Sequence, residues 1–316
     1  MRALERTSRR RAALALAALL ALMAGPGTLS AEVQGRFLYS LSNFSGPLRY
    51  DWGRLHVDQE RGETYFIYRN LVRVFNASGM EVHTFGEDLD LGMLADLVVD
   101  RAGDVFILSY KDARPLVTRC DFRGIPVGVF EIRNLPAGVT FRPNRMVYRD
   151  GRFYFASSGA VSMTVVDQSG EFLEHVEFLP LLDEEARKKD GAEMFGFCVD
   201  REGSVFFTIP VLFRVYKLSP DRKITSFGRP GSAAGRFGVL GGVVTDSRGR
   251  VVVADKLKCV IMLFDKDFNF LGEFGYRGAR PENLVIPDDI SIDAQDRLYV
   301  TQGRRRGVSV FALAGD

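Results

Sequence analysis

Histidine and cysteine, the side chains that most often carry chemistry, are scarce in this sequence. It holds three histidines, His56, His83 and His175, and three cysteines, Cys120, Cys198 and Cys259. His83 and His175 stand in Val82-His83-Thr84-Phe85 and Glu174-His175-Val176, short segments expected to run along a solvent-exposed edge. His56 stands in Leu55-His56-Val57-Asp58, and the positions that correspond to it further along the chain are Val98, Val147, Cys198, Val244 and Ser291. One imidazole among such neighbours cannot supply the three or four ligands of a zinc site. His56 is therefore read as a structural residue, and neither metal nor cofactor is expected. The cysteines are too far apart for a Cys-x-x-Cys motif and no haem attachment signal occurs. Each is read as a small buried hydrophobe, with a disulfide in an oxidising compartment as the alternative.

A second set of residues has types and spacing that could bind or transfer charge. Just before six recurring apolar runs stand Arg54, Asp96, Arg145, Gly196, Gly242 and Asp289. If the six runs surround one axis, these residues surround one mouth of a channel. Arg, Asp and Arg on successive units, with Asp289 beside Arg54 across the closure, would form alternating ion pairs, since an isolated buried charge is costly. A polar ligand site is the alternative, with Gly196 and Gly242 as its open flank. A cation held by three oxygens is disfavoured by the interleaved Arg54 and Arg145.

Loops carry the remaining charge. Gln302-Gly303-Arg304-Arg305-Arg306-Gly307 is a turn between strands whose counterparts contain Arg69, Lys111 and Lys256 with Lys258. On the same face fall the acidic Glu87-Asp88-Leu89-Asp90, an insertion from Leu181 to Glu193 that reads as a short charged helix, and the Gly-rich stretch from Gly228 to Gly241. Together they make one mixed-charge, irregular face, the expected place for protein contact. Arg304, Arg305 and Arg306 are expected to project into solvent.

The elements that must position these residues are repeated. Leu55-His56-Val57-Asp58, Leu97-Val98-Val99-Asp100, Phe197-Cys198-Val199-Asp200, Val243-Val244-Thr245-Asp246 and Ile290-Ser291-Ile292-Asp293 share one pattern, and Met146-Val147-Tyr148-Arg149-Asp150 is a worn copy. The final Asp positions are 42, 50, 50, 46 and 47 residues apart, the period of propeller blades. Asp starts a tight turn in Asp100-Arg101-Ala102-Gly103, Asp200-Arg201-Glu202-Gly203 and Asp246-Ser247-Arg248-Gly249, and Gly sits where φ turns positive. The strands that follow, such as Val251-Val252-Val253, are continuously apolar, as expected where both faces are covered. Six four-stranded units occupy residues 32–316 as a single domain. The sixth is one strand short, and residues 36–42, Arg36 to Ser42, are the spare strand that would complete it and close the ring.

The chain has 316 residues, 46% hydrophobic and 26% charged, which is globular composition. Residues 1–31 read as a cleaved signal peptide: Arg9-Arg10-Arg11, then thirteen uncharged residues from Ala12 to Ala24, then small residues up to Ala31. Thirteen helical residues span only about 20 Å, too short for a membrane anchor. Taking the leader's five arginines and one glutamate from 42 basic and 40 acidic residues leaves 37 against 39, a net charge of −2. That balance gives no footprint for nucleic acid. The mature protein is expected to be periplasmic or extracellular, with no transmembrane segment.

The fifth unit runs Val251-Val252-Val253-Ala254-Asp255, Val260-Ile261-Met262-Leu263-Phe264-Asp265 and Phe270-Leu271-Gly272-Glu273-Phe274-Gly275. It resembles the repeat of the NHL family of six-bladed β-propellers. The resemblance implies an all-β ring of four-stranded blades and is silent on function, because such propellers include binding modules, lyases and lactonase relatives. NHL-type amidating lyases hold zinc with several histidines, which are missing here, and gluconolactonase-like propellers use carboxylate and amide oxygens for a divalent cation. The expectation is an exported, non-catalytic interaction or scaffold module for other envelope or extracellular proteins, with Arg304, Arg305, Arg306, Lys256, Lys258, Lys111 and Arg69 as its contacts. A lyase or lactonase-type hydrolase with a site at the channel mouth, around Arg54, Asp96, Arg145, Asp289 and His56, is the alternative.

Overall fold

Each repeat folds as an antiparallel meander, because its four short apolar strands are joined by turns too tight to do otherwise. The computed structural model describes residues 35–87 and 90–314. The leader with its expected cleavage after Ala31, and Asp88-Leu89 of the acidic loop, lie outside the described residues. Six four-stranded sheets follow one another among the described residues. Their inner strands are Arg54–Val57, Met93–Val99, Arg145–Arg149, Phe197–Val199, Leu240–Thr245 and Pro287–Ile292, for blades one to six. The all-β, six-bladed propeller expected from the repeat period is the fold observed.

Closure follows the spare-strand expectation, with bounds shifted by a residue or two. Gly35–Ser40 pairs antiparallel with Gly307–Leu313, from Gly35 opposite Leu313 to Ser40 opposite Ser309. Blade six is thus built from both ends of the described chain, in the order Gly35–Ser40, Gly307–Leu313, Arg297–Gln302, Pro287–Ile292.

Strand residues alternate between two faces, so every blade contributes to two cores. Six apolar clusters result, one in each gap between neighbouring blades. The gap between blades five and six holds Val252, Ile261 and Leu263 against Ile290, Leu298 and Phe311, for example. The recurring Asp works as expected: Asp58, Asp200, Asp246 and Asp293 each accept an amide hydrogen bond two residues on, at 2.9–3.0 Å. Copy three looks worn because its turn is of another kind. Asp150 and Gly151 both take positive φ, 50° and 75°, the geometry of a two-residue hairpin. The insertion forms a short helix, Glu184–Arg187, capped by the Asp183 carboxylate.

Glycine sets the shape of the ring centre. A Cβ on Gly196 would stand 2.8 Å from the Val243 amide nitrogen, one on Gly241 2.6 Å from the Asp288 carbonyl, and one on Gly242 2.9 Å from the Ile290 amide nitrogen. The inner strands of blades four, five and six therefore meet backbone to backbone. This corrects the expectation that Gly196 and Gly242 leave an open flank: the missing side chains are replaced by the neighbouring blade. The remaining space is displaced towards blades one to three, where the corresponding positions carry Arg54, Asp96 and Arg145.

Candidate functional site

The channel residues sit on or next to inner strands whose free edge faces the axis, so their amides need partners from side chains. Asp96 supplies two: it accepts from Leu97 N at 2.9 Å and from Met146 N of the next blade at 2.8 Å. His56 supplies a third, accepting from Val99 N at its Nε2, 3.2 Å away. That bond requires an unprotonated Nε2, and burial lowers the imidazole pKa to about 4, with Asp58 opposing. His56 is therefore a satisfied neutral histidine, as expected.

The four charged residues do gather, in a different pairing from the one expected. Arg145 of blade three reaches across the ring to Asp289 of blade six, where its Nη1 donates to both carboxylate oxygens at 2.9 Å. Both residues are buried. Asp289 also accepts from Leu55 N at 3.3 Å. The pairing of Arg54 with Asp289 does not form, and among the described residues no carboxylate lies within ion-pairing distance of Arg54. The pair spans the ring, rather than following its rim, because arginine's long stem lets one guanidinium saturate a carboxylate half a ring away.

Electrostatics in this cluster are strongly perturbed. Burial raises the Asp96 carboxyl from 3.8 to about 6, while Arg145, Arg54 and the Met146 amide pull the other way and Asp289 adds to the rise. Burial lowers the Arg54 guanidinium, and the neighbouring charge of Arg145 lowers it further, against Asp289, Asp96 and Asp288. Burial also works against Arg145, but Asp289 and Asp96 outweigh it and hold its charge. Arg145 keeps one polar atom without a hydrogen-bond partner, its buried Nη2.

Two cavities meet at this cluster. One, of about 840 Å³, fills the channel and is lined by Asp96, Arg145 and Asp289 at one end and by His56, Arg149 and Cys198 along its length. The other, of about 720 Å³, opens at the mouth and is lined by Arg54, Asp288, Trp52, Ile67, Met93 and Phe195 among others. The charged cluster is the partition between them. Phe195 stiffens it, carrying the Lys256 ammonium 3.4 Å and the Arg145 guanidinium 5.5 Å from its ring centre.

A divalent cation does not fit this donor set. Asp289 is taken by Arg145, Asp288 by Lys256 and Asp96 by two amides. Among the described residues no three His, Cys, Asp or Glu side chains gather to hold a metal ion.

The loop residues expected to contact partners are more engaged than their sequence suggests. Lys256 pairs with Asp288, Lys258 with Glu273 at 3.0 Å and Lys111 with Asp90. Arg69 is exposed, its guanidinium 5.4 Å from the Tyr68 ring centre. Arg304 and Arg305 are exposed, but the Arg305 Nε donates to the Arg49 carbonyl at 3.4 Å and its amide to Asp51 at 2.8 Å, and Arg306 departs further still from the expectation of free projection. Its guanidinium donates to the carbonyls of Ala279, Arg280 and Asn283 at 2.8–3.2 Å, tying two loops together. The cysteines are free thiols: Cys120 and Cys259 are buried, and burial lifts Cys120 to about 12 and Cys198 still higher.

Sequence reasoning passed over Trp52 and Phe195. The signal was present, since each stands one or two residues ahead of a mouth position, in Trp52-Gly53-Arg54 and Phe195-Gly196, and Trp52 is the chain's single tryptophan.

No protein-family model matches the chain, and neither does any curated protein. Solved structures do. Virginiamycin B lyase from Staphylococcus aureus is 13% identical with a TM-score of 0.58, covering 90% of this chain and 100% of that one. A luciferin-regenerating enzyme is 13% identical with a TM-score of 0.61, covering 90% and 97%. A gluconolactonase from Xanthomonas campestris is 13% identical with a TM-score of 0.58, covering 90% and 91%. These three neighbours are enzymes by name, which overturns the expectation of a non-catalytic scaffold drawn from the missing histidines. At such identities the likeness shows the fold, a six-bladed β-propeller shared with lyases and lactonase-type enzymes.

Proposed function

We propose that this chain is a propeller enzyme of the lyase or lactonase-type hydrolase kind, NHL-like in its repeats, with its chemistry at the charged partition near the channel mouth. The observation that carries the reading is Asp96, a buried carboxyl with its pKa raised to about 6 beside Arg145 and Arg54, at the wall of a cavity large enough for a small organic substrate. Opening an ester by attack of water, or by elimination, starts with a proton moving to a base and builds negative charge on an ester oxygen. Near neutral pH Asp96 is ionised and basic enough to take that proton, and its protonated form is acidic enough to return it. Arg145, fixed by Asp289 and with Nη2 uncommitted, is placed to stabilise the developing anion. The leader-like amino terminus supports placing this activity outside the cytoplasm.

The test is turnover of a panel of lactones and linear esters by the purified full chain. Asp96→Asn should lower kcat by about a hundredfold or more while the variant still unfolds in one cooperative transition. No turnover across the panel, or an Asp96→Asn variant as fast as the native protein, overturns the reading.

A further inference from the structure

The mouth cavity lies on the far side of the partition from Asp96 and has its own chemistry. Its walls are apolar: Trp52, Ile67, Met93 and Leu94 line it, and Trp52 and Met93 are 49% and 66% exposed towards solvent. The Trp52 indole is held in place, its Nε1 donating to the Ile286 carbonyl at 3.2 Å and its ring lying against Gly303, where a Cβ would stand 3.0 Å away. Arg54 also lines this cavity. Arg54 is half-buried, feels the like charge of Arg145 against the carboxylates of Asp289, Asp96 and Asp288, and has no ion pair among the described residues. The cavity's one lining carboxylate, Asp288, is already paired with Lys256. A half-buried cation whose nearby carboxylates Asp289, Asp96 and Asp288 are all engaged elsewhere is open to a further anion, and here it adjoins an apolar, aromatic wall.

We infer that the mouth cavity is a binding site for a small amphiphilic organic anion, whose carboxylate pairs with Arg54 and whose apolar body lies against Trp52. Arg69, exposed at the rim, adds positive charge along the approach. The site is separate from the proton-transfer chemistry assigned to Asp96, and its test reads binding alone.

Because Trp52 is the single tryptophan, intrinsic fluorescence of the full chain reports occupancy of this cavity. Titration with 4-phenylbutyrate and with its neutral amide compares the same apolar body with and without charge. The acid is expected to bind at least about tenfold more tightly than the amide. Arg54→Met should remove that preference and keep amide binding, while Arg54→Lys should keep part of it. Asp96→Asn should leave the acid's affinity undiminished, so loss of turnover and loss of binding separate cleanly. Equal binding of acid and amide to the native protein, no fluorescence change with either, or a preference that survives Arg54→Met each overturns the inference.

Discussion

Arg145 and Asp289, contributed by blades on opposite sides of the ring, form a buried ion pair across the central channel through Nη1 and both carboxylate oxygens at 2.9 Å. The pair braces the inner strands of blades three and six and, with Asp96 and Arg54, divides the channel from the mouth. Removing one partner leaves the other charged and buried. Asp289→Asn or Arg145→Leu is therefore expected to cost about 3–5 kcal/mol, and the double variant Arg145→Leu/Asp289→Leu much less. Denaturant unfolding of the three variants measures this, and additive losses would show that the two residues do not act as a pair.

Asp96 and His56 should oppose one another in pH. The folded-state pKa of Asp96 is raised from 3.8 to about 6, so the native protein holds a proton that the unfolded chain has released, and stability falls as pH rises across that window. His56 is lowered from 6.5 to about 4, so the unfolded chain binds the extra proton, and stability rises with pH over nearly the same window. Each effect is on the order of 3 kcal/mol, and in the native protein they largely cancel. Asp96→Asn should expose the rising slope between pH 4 and about 6, and His56→Phe the falling one. Identical slopes in the two variants, from melting curves across this range, would refute the pair of assignments.

The glycine contacts at the ring centre predict a sharp position dependence. Gly242→Ala places a Cβ 2.9 Å from the Ile290 amide nitrogen and 3.0 Å from its Cγ1, so backbone must move, at a cost of about 1–3 kcal/mol. Gly128→Ala, with nothing within 4 Å of its added Cβ, should be nearly neutral. Equal melting temperatures for both variants would sink the view that glycine draws blades four to six together.

Arg306 should behave unlike its neighbour Arg304. Its three carbonyl contacts join the Gly303–Gly307 turn to the Ala279–Asn283 loop, so Arg306→Ala is expected to lower stability by about 1–3 kcal/mol, while Arg304→Ala changes it by less than about 0.5 kcal/mol. Thermal unfolding of the two variants decides, and equal effects would remove any structural role from Arg306.

The fold was legible because repetition carries it. Six Asp-terminated apolar runs at a blade-like spacing announce the ring, and the strand shortage of the last copy points to its closure. The mouth residues Arg54, Asp96, Arg145 and Asp289 were legible as a group by the same register. Their partners were not, because which side chain crosses a channel depends on how closely opposite blades approach, a distance no repeat records. The glycines misled for a related reason: a missing side chain reads equally as open space or as contact with a neighbour, and Val243 and Ile290 fill it. The raised carboxyl of Asp96 was not legible either, because it depends on burial between blades, which residue type and spacing do not record.

The sheet that unites Gly35–Ser40 with Gly307–Leu313 also governs the order in which the molecule can be assembled. Blades one to five are meanders of sequence-adjacent strands, each able to form from hairpins as the chain emerges from the ribosome. The sixth sheet must wait, since its outermost strand is made early and its three others last. Until then that early strand stays an unpaired edge, and the apolar flanks of blades one and five face water. Bringing such distant segments together carries the largest loop-closure entropy in the fold, so joining them is expected to be the slow, late and committing step of folding.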